Sequence, residues 1–205
     1  MKPYIIGIAG GSCSGKTTLA RRIWHRLGAQ KAVLMKQDDY YHSHTGGALP
    51  NFDALAAIDF DHLAQDLRRL KGGETIAAPL YDFETHTRRP ETQIIEPREL
   101  IILDGILILA VDVLRPLFDH TCYLECDEET RFQRRLTRDM SERGRTETCV
   151  REQFLGQVAP AHQAYVSPSK EKADRVISQP DCCEDLPALT QSIIDHWRHE
   201  KSCAD

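Results

Sequence analysis

Short apolar runs alternate along the chain with stretches in which apolar residues recur every three or four positions. Tyr4–Ala9, Ala32–Lys36, Leu100–Leu103, Thr121–Glu125 and Arg175–Ser178 read as buried strands of a parallel sheet, too apolar to leave one face in water. Leu19, Ile23 and Leu27 follow the first run at helical spacing, and Leu63, Leu67 and Leu70 follow the second. Asp127 with Glu128 and Glu129 supplies an N-cap and an acidic first turn for a helix through Arg138. A last helix, beginning near Asp185–Pro187, would bury Leu189, Ile193, Ile194 and Trp197. Such alternation predicts an α/β three-layer sandwich, a parallel central sheet with helices on both faces.

One segment, residues 74–98, breaks the rhythm. It carries Pro79, Pro90 and Pro97 around two β-like pieces, Ile76–Tyr81 and Gln93–Glu96, joined by a polar turn near Thr85–Arg89. An inserted β-hairpin is the expectation. There is no internal repeat or linker, so residues 1–205 read as one domain.

The first strand runs into Gly10-Gly11-Ser12-Cys13-Ser14-Gly15-Lys16-Thr17, followed by Thr18 and an amphipathic helix. This is G-x-x-x-x-G-K-[ST] in its required strand–loop–helix setting, the signature of a P-loop NTPase fold. Backbone N–H groups of such a loop wrap phosphates at a helix N-terminus, the lysine bridges the β- and γ-phosphates, and the threonine hydroxyl suits Mg²⁺. The motif implies an ATP or GTP ligand without naming a reaction.

Two carboxylates follow strands at the end where ligands bind in open α/β sheets. Asp38, after the second strand, is the candidate base for a hydroxyl nucleophile and a candidate Mg²⁺ group. Asp104, closing the third strand, is the second metal candidate. Arg131, Arg135 and Arg138 share one face of the helix after the fourth strand, with Arg143 and Arg145 beyond it. A run of this kind is either a solvated basic surface or a lid over phosphates. Arg138 is the candidate for charge developing on the transferred group. No Asn-Lys-x-Asp guanine motif of the Ras type is present.

Composition narrows the partners. The charge of −5 gives no reason to expect nucleic acid or an anionic membrane. No apolar run nears the ~18 residues of a membrane helix, and the short run before the glycine loop is no signal-peptide core. Seven cysteines without a C-x-x-C pair read as reduced thiols in a cytoplasmic protein.

The residues together resemble the uridine–cytidine kinases, relatives of phosphoribulokinase and pantothenate kinase. The resemblance spans Ile5 to about Ile177 and rests on the phosphate loop, on Pro79-Leu80-Tyr81-Asp82-Phe83-Glu84-Thr85-His86-Thr87-Arg88, and on Arg134-Arg135-Leu136-Thr137-Arg138-Asp139 leading to Glu142-Arg143-Gly144-Arg145. It implies transfer of a phosphoryl group from ATP or GTP with Mg²⁺ to the 5′-hydroxyl of uridine or cytidine, Asp38 being the base. It implies a pyrimidine pocket of Tyr41, Phe52, Tyr81, Phe83 and His86, completed by Gln153, with Asp53 and Arg135 on the ribose hydroxyls. Arg138, Arg143 and Arg145 would lie in a helical lid over residues 128–165, near the phosphates. Relatives form tetramers, so a homo-oligomer is implied. The chain departs from the family pattern at Asp39-Tyr40, where Ser-Phe is usual, at Asp104, where Glu is usual, and at Ala54-Leu55, where His-Pro is usual. A related kinase with another hydroxyl substrate and a nucleotide-binding regulatory module without transfer activity are the other readings of the same scaffold.

Overall fold

The computed structural model describes residues 2–44, 46, 51–178 and 186–204. Asp185, named above, and two of the seven cysteines, Cys182 and Cys183, lie outside the described residues.

Five parallel strands form the central sheet: β1 (Tyr4–Gly10), β2 (Ala32–Lys36), β5 (Leu100–Gly105), β6 (His120–Glu125) and β7 (Arg175–Ser178), in the order β2-β5-β1-β6-β7. β1 lies at the centre, with Tyr4 opposite Leu100 and Ile6 opposite His120. The alternation of side chains along β1 divides the core into two layers. Ile5 and Ala9 face one layer with Leu63, Leu67 and Leu70 of α2 (Phe60–Lys71). Ile6 and Ile8 face the other, with Leu19 and Ile23 of α1 (Lys16–Leu27) and Ile193, Ile194 and Trp197 of α6 (Leu186–Ala204). All these residues except Trp197 at 3% are at most 1% exposed, and each fully buried Leu or Ile contributes about 1.5–3 kcal/mol. Among the described residues no helix is long and apolar enough to cross a membrane.

The hairpin is present as β3 (Ile76–Asp82) and β4 (Thr87–Ile95), antiparallel and separate from the main sheet. Its second strand differs from the expected Gln93–Glu96. It starts at Thr87, and the turn is only 83–86, because Asp82 Oδ1 accepts the N–H of Glu84 at 2.8 Å and closes the chain early. Thr87 to Ile94 show no apolar alternation since that stretch is largely exposed, so pairing with β3 imposes the strand.

The segment expected as the lid contains α3 (Glu128–Glu142), α4 (Glu147–Gln153), a π-helical turn at Phe154–Val158, the short α5 (Ala159–Ala161) and a second π-helical turn at His162–Val166. Asp127 caps α3, its Oδ1 accepting from the Thr130 N–H at 2.8 Å, and Thr146 caps α4. α3 runs four residues past Arg138.

Candidate active site

The C-terminal ends of β1, β2 and β5 open into a cleft of about 640 Å³ lined by Cys13, Gly15, Lys16, Thr17, Thr18, Asp38, Asp104, Arg138 and Arg143, among others. The loop residues Gly10, Gly11, Ser12 and Ser14 are not on its wall; they carry the bend behind it. Gly11 is required by packing. A Cβ there would stand 2.8 Å from Arg131 Cδ and 3.0 Å from His162 Cε1, so α3 and the second π-helical turn press directly on the loop backbone. Arg131 is 1% exposed and has one guanidinium nitrogen without a hydrogen-bond partner. Burial, with the nearby Arg131 charge adding to it, pushes the His162 imidazole down to about 4.

Asp38 sits in a 3-10 turn, Gln37–Tyr40, that continues β2. Gln37 is fully buried. Its Oε1 accepts the Leu107 N–H at 2.8 Å, and a Cβ on Gly105 would be only 2.6 Å from it. The turn bearing Asp38 is therefore fastened to the end of β5, which bears Asp104. Asp104 is 5% exposed, and its Oδ1 accepts from the Thr17 hydroxyl at 3.2 Å. Burial pushes the Asp104 carboxyl up to about 6; nearby Lys16 opposes this and Asp38 reinforces it. Its Oδ2 has no hydrogen-bond partner among the described residues.

A hydroxyl, a buried carboxylate with an orphaned oxygen and a second acid close by form a donor set that suits Mg²⁺, a hard cation that keeps waters and phosphate oxygens among its ligands. Among the described residues there is no group of three or more His, Cys, Asp or Glu that could hold a metal ion.

The hairpin delivers its tip to the same cleft, since Phe83 is part of the lining. Behind it the predicted aromatic residues gather. Tyr41 contacts Phe52 and Tyr81 at ring-centroid distances of 5.6 and 5.2 Å, Phe52 stacks on His86 at 4.9 Å, and Tyr81 meets Phe83 at 5.2 Å. Arg88 locks the hairpin to the Asp38 turn, donating to the carbonyls of Tyr41 (2.8 Å) and Tyr40 (3.0 Å) and to Asp59 (3.2 Å). Burial lowers the His86 imidazole below its ordinary range, with Arg145 and His44 adding to the effect. Asp53 is 8% exposed, and burial raises it, opposed by Arg135 and Lys16.

The basic helix is not a solvated surface. Arg131 and Arg135 are buried, at 1% and 6% exposure. Arg135 donates to Ser12 Oγ at 3.1 Å and to Gln153 Oε1 at 2.9 Å, and Arg145 donates to the same Gln153 oxygen at 2.6 Å. Arg138 and Arg143 reach the cleft, with Arg143 lying 5.5 Å over the Phe83 ring, whereas Arg145 does not line it. Sequence reasoning missed the residue that joins four of them: Asp139, 0% exposed, within ion-pair distance of Arg135, Arg138, Arg143 and Arg145. An acid set among Arg134, Arg135, Arg138, Arg143 and Arg145 was the available signal. Also missed were further residues of the cleft lining, Arg21, Leu124, Arg134, Ile177, Leu186 and Leu189.

The description "Phosphoribulokinase / Uridine kinase family" matches residues 5–184. This chain belongs to that family. A uridine kinase of Listeria welshimeri is 42% identical over 183 residues, covering 87% of this chain and 88% of the relative. A uridine kinase of Halalkalibacterium halodurans is 40% identical with 87% of each covered. Among solved structures, a possible uridine kinase from Bacillus stearothermophilus superposes with a TM-score of 0.64 at 24% identity, over 86% of this chain and 89% of that one. Phosphoribulokinase from Rhodobacter spheroides gives 0.65 at 16%, over 86% and 70%. These likenesses establish the P-loop kinase fold.

Proposed function

We propose that the chain transfers the γ-phosphoryl of ATP or GTP to the 5′-hydroxyl of uridine or cytidine. The observation that carries this is the shared cleft: Phe83, at the tip of an aromatic hairpin, lines the same cavity as Lys16 and Asp38. The kinship with uridine kinases at 40–42% identity over most of the chain supports the same reading.

In this mechanism the Gly10–Thr17 loop cradles the triphosphate and Lys16 spans its β- and γ-phosphates. Thr17, Asp104 and Asp38 would hold Mg²⁺, which supplies charge neutralisation on the transferring group when bound. Asp38 takes the proton of the attacking hydroxyl, and Arg138 faces the negative charge that develops. Tyr41, Phe52, Tyr81, Phe83 and His86 provide aromatic faces for a flat pyrimidine. Asp53 and Arg135 take the ribose hydroxyls, a contact that selects against sugars lacking them. The apolar side chains Leu186 and Leu189 in the cleft lining would suit the purine of the donor.

A homo-oligomer and a cytoplasmic setting complete the proposal, the latter supported by the five free cysteines among the described residues. Nucleoside-diphosphate release, measured for ATP and GTP with uridine, cytidine, ribulose 5-phosphate and no acceptor, tests the reading. Pyrimidine-nucleoside-dependent release is expected. Release only with ribulose 5-phosphate, or none with any acceptor, overturns it. Light scattering on a sizing column reports subunit number.

A further inference from the structure

Four guanidinium groups from α3 and the loop after it converge on one carboxylate. Asp139 Oδ1 lies 2.8 Å from an Arg138 terminal nitrogen and 3.6 Å from Arg143. Its Oδ2 lies 3.4 Å from Arg135 Nε and 3.5 Å from Arg145. The Asp139 carbonyl also accepts the Arg145 N–H at 3.1 Å, turning the loop back over the helix end. The side chain is wholly buried, while Arg138 and Arg143 keep about a third of theirs exposed, 31% and 34%, toward the cleft.

Left to themselves, four like charges so close together would spread apart into water. A single fixed anion at their centre holds them, and it neutralises only one of the four. The remaining positive charge faces the cleft through Arg138 and Arg143, and the phosphate loop through the Arg135–Ser12 hydrogen bond. Asp139 does not line the cleft, so it has no phosphate or acceptor to touch. Its effect must pass through the arginines.

We propose that Asp139 is a positioning residue that presets the lid arginines for the transferring phosphoryl group, at the cost of weakening the cluster's bare attraction for a polyphosphate. The proposal rests on the transfer reaction described above. Asp139→Asn keeps the shape and removes the central anion, so attraction and alignment should part company. Affinity for ATP, measured by calorimetry without acceptor, should stay equal or rise up to several-fold, because the cluster gains one net positive charge. Turnover at saturating ATP and uridine should fall at least 30-fold, and added salt should weaken ATP binding more steeply than in the wild type. Turnover within three-fold of the wild type overturns the proposal. So does a parallel loss of ATP affinity, turnover and thermal stability, which would make Asp139 a purely structural residue.

A second measurement needs no variant. In the unliganded wild-type chain the Arg138 Nε–H, which Asp139 Oδ1 accepts at 2.9 Å, should exchange slowly with solvent by arginine side-chain NMR. Solvent-rate exchange there overturns the proposal even if Asp139→Asn does not fold. If wild-type turnover is itself absent while ATP binds, the reaction assignment fails, and the NMR result still decides the preset geometry.

Discussion

Asp104 makes a prediction that separates stability from activity. Its carboxyl is buried, accepts one hydrogen bond and leaves one oxygen orphaned. A rise from 3.8 to about 6 corresponds to about 3 kcal/mol, at about 1.36 kcal/mol per pKa unit. The sign follows from the direction. Because the folded protein holds this proton more tightly than the unfolded chain, the group's stabilising contribution is full below pH 3.8 and is lost as pH rises through about 6. Asp104→Asn removes that loss while its amide still pairs with the Thr17 hydroxyl. Allowing about 1 kcal/mol for an imperfect amide fit, the variant should be more stable than the wild type by about 1–2 kcal/mol at pH 7.5, or roughly 3–6 °C in melting temperature. The gap should shrink toward pH 4. Urea unfolding in EDTA at pH 4.5, 6 and 7.5 measures this. With Mg²⁺ and ATP the order should reverse, the wild type gaining stability by ligand linkage and the variant gaining far less. A variant less stable than the wild type at pH 7.5 without metal, or one with the same pH slope, refutes the reasoning.

Asp38→Asn should reduce phosphoryl transfer by at least 100-fold while uridine affinity, measured by calorimetry, stays within a few-fold; lost uridine binding would make Asp38 a binding group instead. Phe83→Ala removes a half-exposed ring that touches Tyr81 and Arg143, so steady-state kinetics should show about a ten-fold higher uridine KM with melting temperature nearly unchanged. Gly11→Ala places a methyl 2.8 Å from Arg131 Cδ, and overpacking there should cost about 1–3 kcal/mol in denaturant unfolding and weaken ATP binding; a neutral effect would show that Arg131 can withdraw.

How much of this was legible beforehand depended on whether the signal was local. Strands β2 and β7 have the bounds their apolar runs suggested, and the phosphate loop stands between β1 and α1 because Gly-x-x-x-x-Gly-Lys-Thr carries its own geometry. The start of β4 was not legible, since Thr87 to Glu91 carry no alternating pattern, and only the pairing of Thr87 and Arg88 with Asp82 and Tyr81, across an irregularity in register, extends the strand to Thr87. The split of residues 128–166 was partly signalled, since Gly144, at a φ of 62°, breaks the chain between α3 and α4, but nothing local marks the two π-helical turns around Pro160. The aromatic residues were named one by one, but their meeting requires Arg88 to bind the chain at Tyr40 and Tyr41. Asp139 escaped because its significance depends on Arg143 and Arg145 folding back over α3, a tertiary fact with no periodic trace.

The Gln37–Gly105 junction has a consequence for how such a protein can change. With an amide wedged against a residue that has no room for a side chain, the turn bearing one acid and the strand end bearing the other form a single mechanical corner. Shifting either carboxylate drags its companion along, so adjustments there are strongly coupled. The hairpin tip has no such constraint at Phe83, Glu84 and Thr85, which are exposed, although His86 in the same turn is held against Phe52. New acceptor alcohols are therefore most easily accommodated by rewriting the tip, while the corner beneath keeps its chemistry.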